Sequence, residues 1–532
     1  MDEPIPSTIL PLLLLTGFRQ RQKSKAKFSW KASPFPNSAP KAILIGIAER
    51  YKISFQAQAT VQPEGPTLPE SMPFMSTQSV PLPGADAPSA SGGFSSSGDA
   101  PGSTAPSMRW VVCGLLFLAT TINYMDRSVF SLIEPLLHNL PFMGWNFAAD
   151  KFHQPAFDNN FGNIVICFQI AYGVGLLTAG RIIDKLGTRI GYALAILVWG
   201  LASMGHSLVK SVLGFAIARV LLGLGEAGNF PAAIKATTEW FPSEERALAT
   251  GLFNSGSNAS ALIAPALVAF VTYKFGWQAA FLTTGSMGMV WLVLWLLFPY
   301  NRLRRGSTQT QINLQPVTAG GPLMGRLLEN RGLYAFAIAK GLTDGVWWFY
   351  LFYLPQFLNR NYGLSLAQAY WYIVTVYLVS SIGSIFGGAL SGWRMKRGHS
   401  VNSGRKFAML VMAVLVTPVV FVPQMGHLFP TNAWPATLLF AIAAAAHQGW
   451  SANLFSTPTD MFPSTAVSTV VGIGGAVGAA GGAIFTYIVK HNLSLHPLLV
   501  FVMAGSAYLV ALGIFQLLVP RLGAARQEQA VV

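Results

Sequence analysis

Six ionisable residues interrupt long apolar stretches of this sequence: Asp126, Arg127, Arg219, Glu226, Lys340 and Asp344. At the centre of a bilayer such a side chain costs at least about 2.5 kcal/mol, so each needs a partner or a task. Arg219 and Glu226 are seven residues apart, which on a helix sets them on one face about two turns, roughly 10.5 Å, apart. Gly223 and Gly225 leave room between them for a ligand or a neighbouring helix. Arg127 adds a second guanidinium, whose planar fork matches a carboxylate at two points. Paired arginines predict a cavity that prefers anions, while Asp126 and Glu226 are groups able to take up and release protons. Lys340 and Asp344, four apart on one helix face, serve equally well as a structural ion pair. Internal salt bridges holding helices together are the competing reading for all six. Nothing points to catalysis, to a metal or to a cofactor: His153 and His447 are isolated, and no Gly-x-x-x-x-Gly-Lys-[Ser/Thr] loop for ATP occurs.

The elements that must hold these residues are membrane helices. Of 532 residues 52% are hydrophobic and 10% charged, against roughly 25% charged in a soluble domain. Apolar stretches of about twenty residues, each able to cross roughly 30 Å of hydrocarbon, recur from Met108 to Leu518. They predict twelve spans, at 110–134, 161–182, 190–208, 212–237, 246–272, 277–299, 333–357, 367–393, 405–424, 433–458, 466–490 and 496–518. The fold class expected is therefore an all-α membrane protein of twelve transmembrane helices in two pseudo-symmetric six-helix halves. Those halves are 108–300 and 332–519, joined by a cytoplasmic loop, 301–331, and followed by a cytoplasmic tail, 520–532. The loops that include Arg181, Lys185, Arg189, Arg302, Arg304, Arg305, Arg394, Lys396 and Arg397 carry thirteen basic residues, against five in the opposite loops, which puts both termini in the cytoplasm. The same confinement makes the net charge of +15 a matter of topology, with lipid and not nucleic acid as the partner. Cys113 and Cys167 fall in apolar stretches and read as packing residues. Residues 1–107, rich in Ser, Pro, Gly and Ala, are expected to be a disordered extension without a signal peptide, Met108 being a plausible true start. The loop from His138 to Asn160 is long enough to cover the external mouth.

An internal repeat supports the two halves: Gly180-Arg-Ile-Ile-Asp-Lys-Leu-Gly-Thr-Arg189 follows the second span, and Gly388-Ala-Leu-Ser-Gly-Trp-Arg-Met-Lys-Arg397 follows the eighth. The first of these resembles the G-x-x-x-D-x-x-G-x-[RK] loop of the major facilitator superfamily. In that loop Gly180 and Gly187 allow a tight turn, and Asp184 and Arg189 join a cytoplasmic charge latch. Asn123-Tyr-Met-Asp-Arg127, Arg219-Val-Leu-Leu-Gly-Leu-Gly-Glu-Ala-Gly-Asn-Phe-Pro231 and Glu239-Trp-Phe-Pro-Ser-Glu-Glu-Arg246 together look like its anion:cation symporter family. Leu342 to Pro355, His447 to Phe455 and Asp460-Met-Phe-Pro463 are similar to the hexuronate transporter branch. The resemblance spans Met108 to about Leu518.

What it implies is a proton-coupled symporter, a monomer in the cell inner membrane, importing a sugar acid such as a hexuronate. Position by position it assigns Arg127 and Arg219 to the substrate carboxylate, Tyr124 and Tyr172 to the ligand, and Asp126 and Glu226 to protons. A sugar also needs hydroxyl partners and an apolar platform. Asn254, Gln448, Asn453 and Lys340 can supply the first, and Trp347, Trp348 and Trp450 the second, although each Trp is as readily a packing or lipid-facing residue. His447 titrates near neutral pH unless it is a satisfied core histidine. The alternatives are a carrier of another organic anion (an aldonate, glucarate, an aromatic or dicarboxylic acid), an effluxer, or a membrane sensor.

Overall fold

A computed structural model describes residues 107–144, 155–301, 323–492 and 496–522. Most of the expected extension, the middle of the outer loop, most of the central loop and the end of the tail lie outside the described residues. Every regular element described is helical. We number the long helices α1 (Ser107–Leu132), α2 (Pro155–Leu186), α3 (Thr188–Gly205), α4 (Val212–Glu226), α5 (Asn229–Trp240), α6 (Ser243–Phe275) and α7 (Trp277–Leu297), then α8 (Arg331–Tyr362), α9 (Leu366–Lys396), α10 (Val401–Val416), α11 (Trp434–Met461), α12 (Val467–Asn492) and α13 (Pro497–Leu518). Helices α4 and α5 make one span, broken at Ala227 and Gly228.

Ten described spans are long and apolar enough to cross a membrane unaided. The seventh and tenth places in the order are taken by α8 and α11, 32 and 28 residues long, which are more polar. From Ala446 to Met461 every residue of α11 is buried, so its polar groups answer to protein neighbours and not to lipid. Conversely, large apolar side chains such as Ile170, Phe270, Ile382 and Leu517 point outward, as on a surface that faces hydrocarbon.

The first six and last six spans meet along α2 against α12 and α6 against α9. These contacts depend on backbone proximity, as small-residue interfaces in membranes do. The two glycines in matching places of the repeat carry it: a Cβ on Gly180 would run into the backbone of Ser468 in α12, and one on Gly388 into that of Ala247 in α6. The described flanks of the outer loop are packed, not loose. Leu137, Met143 and Phe157 join Phe130, Ile133 and Phe215 in a small buried cluster at one end of the first six spans, and α2 starts at Pro155, earlier than the expected span.

Candidate functional site

Between the two sets of spans lies a cavity of about 740 Å³ including its open mouth. One wall is Tyr124 and Arg127 of α1, Tyr172 and Leu176 of α2, Phe230 of α5, and Asn254 and Ser257 of α6. The other is Lys340, Asp344, Trp347 and Trp348 of α8, His447, Gln448, Ser451 and Phe455 of α11, and Val471, Gly475 and Ala479 of α12. Aromatic faces with a few converging polar groups are the usual make-up of a small-molecule site.

Arg127 dominates the first wall. Its Nε donates to Glu226 Oε2 at 2.9 Å, and its guanidinium lies over the rings of Tyr172 (4.4 Å), Tyr124 (4.9 Å) and Phe168 (5.3 Å). The Glu226 side chain is fully buried while that of Arg127 is 17% exposed, so the cavity meets the cation and not its partner. Arg127 Nη2 and Glu226 Oε1 find no hydrogen-bond partner among the described residues. A buried fork with an unspent donor is equipped to take a carboxylate.

Behind this pair sits a second layer. Arg219 is buried against Phe130 at 4.4 Å and Phe168 at 5.4 Å, and its Nη1 reaches the Arg127 carbonyl at 3.4 Å. It is held outside the cavity lining, where it adds positive charge behind Arg127. Asp126, next to Arg127 in sequence, points the other way on α1 and accepts from Ser203 Oγ at 2.6 Å. Consecutive helical residues face in different directions, and this separates the two neighbours.

On the opposite wall, Lys340 Nζ reaches both oxygens of Asp344, at 2.8 and 2.7 Å, and lies 4.1 Å from the Phe455 ring centroid. Trp347 stacks on His447 at 4.9 Å, and His447 Nδ1 is 2.7 Å from the Tyr508 hydroxyl, so this histidine has partners on two sides. Asn254 Nδ2 donates to Gln448 Oε1 at 2.6 Å, a polar bridge across the floor between α6 and α11. Two residues considered as ligand partners lie outside the lining. Trp450 is fully buried, edge-on to Tyr508, and Asn453 Nδ2 donates to the carbonyls of Gly387 (2.7 Å) and Gly449 (2.9 Å), tying α11 to α9.

The Gly180–Arg189 stretch marks one end of the bundle. Asp184 accepts from the Thr469 backbone N–H and hydroxyl, both at 2.7 Å, from the Ser468 N–H at 3.3 Å, and from Lys235 Nζ at 2.8 Å. Ser468 and Thr469 open α12, so the carboxylate caps a helix N-terminus belonging to the other set of spans. Gly187 turns the chain at φ 80°, and Arg189 Nη2 donates to the Leu296 carbonyl at the end of α7. Asp460 in α11 forms the counterpart. It pairs with Arg405 at 2.9 Å and Arg246 at 3.6 Å, while Arg405 also donates to the Ser243 carbonyl and Arg246 to that of Thr459. Sequence reading missed this cluster, whose members are too far apart along the chain for any local pattern. Lys235 was missed too, although an ionisable residue in an apolar stretch is a signal that could have found it.

The sequence profile described as the Major Facilitator Superfamily matches residues 116–486. The chain belongs to the major facilitator superfamily. Among curated members it is 31% identical, over 72% of its own length and 87% of the other's, to a hexuronate transporter of Escherichia coli strain K12. It is 29% identical, over 53% and 81%, to a galacturonate transporter of Dickeya chrysanthemi. Among solved structures, a proton:xylose symporter of the superfamily aligns with a TM-score of 0.65 at 14% identity, covering 80% of this chain and 99% of the other, which shows the shared fold. As a major facilitator protein this chain is a multi-pass membrane transporter for a small organic molecule. Transport, not catalysis, is its task.

Proposed function

We propose that this protein is a proton-coupled importer of a sugar acid such as a hexuronate, working as a monomer in the inner membrane with both termini in the cytoplasm. The observation that carries the reading is the Arg127–Glu226 pair: a cation partly exposed to the cavity, whose buried Nη2 is without a partner among the described residues, backed by a fully buried carboxylate. In this reading the substrate carboxylate docks on Arg127, with Arg219 reinforcing the positive field from behind. Tyr124, Tyr172 and Trp347 flank the ring, and Asn254, Gln448, His447 and the Lys340–Asp344 pair serve its hydroxyls.

Glu226 competes with substrate for Arg127. A proton on Glu226 removes the competitor, so proton and substrate assist one another, and by linkage they do so equally. Asp126 is the second proton site of the proposal. The junctions at Asp184 and Asp460 act as the cytoplasmic gate and must part for release. The names of the hexuronate and galacturonate transporters support the substrate class. The test is uptake into proteoliposomes of labelled hexuronates, aldonates and hexoses under an imposed pH gradient. Hexuronate should accumulate when the outside is acid, stop when a protonophore collapses the gradient, and be unaffected by excess glucose. Accumulation of glucose, or of hexuronate without regard to the gradient, would overturn the proposal.

A further inference from the structure

Two cation–carboxylate pairs border the cavity, and they differ in what they leave for a ligand. Arg127 keeps an Nη2 without a partner. Lys340 is committed to its own carboxylate: Nζ has the two Asp344 oxygens at 2.8 and 2.7 Å and the Phe455 ring at 4.1 Å. The Lys340 side chain is 6% exposed and that of Asp344 21%, so a ligand at this wall meets the carboxylate before the ammonium. The seat is built from the neighbouring helix as well. At Gly478 of α12 a Cβ would run into Asp344 Oδ2 and stand 3.5 Å from Lys340 Cε, so glycine there leaves the space that the pair occupies.

We propose that Asp344 is a specificity-determining residue that restricts the carrier to acids with a single carboxylate, by holding Lys340 and presenting its own negative charge on the wall opposite Arg127. Sugar hydroxyls are donors and suit an exposed carboxylate. A second carboxylate there meets a like charge whose counter-ion is already taken, which is selectivity by repulsion. The dicarboxylic (aldaric) forms of the same sugars are therefore refused. The inference rests on the sugar-acid reading and goes beyond it by naming the class of acid excluded.

The experiment is competition against labelled glucuronate uptake in proteoliposomes containing the full chain, with unlabelled galacturonate and glucarate as probes. In the parent protein glucarate should need a half-inhibiting concentration at least about tenfold above that of galacturonate. Asp344→Asn frees Lys340 and should shrink that gap by about tenfold, whereas Asp344→Asn combined with Lys340→Gln should reopen it. A gap unchanged in Asp344→Asn overturns the proposal, and so does glucarate competing as well as galacturonate against the parent. Should the Asn variant fail to insert, thermal stabilisation of the purified parent decides: equal protection by glucarate and galacturonate overturns the proposal, and protection by galacturonate alone supports it. If no hexuronate is taken up or protects the parent, the sugar-acid reading itself falls, an outcome distinct from loss of selectivity.

Discussion

Arg127 and Arg219 have the same side chain, yet they present different faces to a ligand. Arg127 lines the cavity with a spare donor, while Arg219 is packed against Phe130 and Phe168 behind it. Arg127→Lys should therefore raise the apparent KM for hexuronate by at least about tenfold, because a point ammonium cannot serve both Glu226 and a substrate carboxylate. Arg219→Lys should lower the maximal rate more than it changes KM. Initial rates over a substrate series separate the two, and an equal rise in KM for both would place Arg219 in direct contact with substrate. For Glu226, the competition for Arg127 sets the sign of the pH effect: substrate binding strengthens as pH falls and the competitor is neutralised. Glu226→Gln keeps the shape of the protonated acid but releases no proton. It should retain counterflow exchange, lose gradient-driven accumulation, and show a KM that no longer varies with external pH. Accumulation against a gradient by Glu226→Gln would move the coupling to Asp126 or Asp344.

Between helices, the contacts that join the two sets of spans are of two kinds, backbone against glycine and charge against helix end. Arg405 is wholly buried and serves Asp460, Ser391 and the Ser243 carbonyl at once. Among the described residues, its removal leaves Asp460 the longer contact to Arg246. Arg405→Met should cost about 3–5 kcal/mol, the usual penalty for stranding a buried charge, and Arg405→Met with Asp460→Leu should recover much of it. Thermal unfolding in detergent measures both. At the matching junction, Asp184→Asn weakens a cap on α12 that spans the two sets. Detergent-phase substrate affinity should change by less than about threefold while uptake falls by more, since in the proposed gate the cap acts on the opening of that junction and not on the cavity. A comparable loss in both would place the effect in the cavity.

For the molecule as a whole, the family match begins at residue 116 and the first described helix at Ser107. A chain beginning at Met108 should insert and take up hexuronate at the parent's rate. Loss of uptake in correctly inserted protein would assign residues 1–107 a part in transport. The cavity walls come from helices far apart in sequence, with Asn254 and Gln448 bridging them 194 residues apart. A site shared between two bodies in this way can change its exposure when they rock, without changing its own groups.

Hydropathy and charge are local properties, and for that reason the sequence alone determined the spans, the repeat, the family and the short list of charges that needed a task. The same reasoning found Arg127, Glu226, Lys340 and Asp344, because an ionisable residue among apolar neighbours is conspicuous wherever it ends up. Which of them face one another is not local. Two seven-apart residues such as Arg219 and Glu226 share a helix face, but only the packing of α1 and α2 against α4 decides that Glu226 reaches Arg127 while Arg219 sits behind an aromatic layer. Trp450 and Asn453 read as a platform and a hydroxyl partner by type; their neighbours in the fold make them packing and a clamp between α9 and α11. The three-way pairing of Asp460 with Arg405 and Arg246 was beyond any sequence pattern, since it exists only where α6, α10 and α11 converge. Tertiary structure decides such matters because a buried charge is stabilised by whatever lies within a few ångströms of it, and chain separation carries no information about that distance.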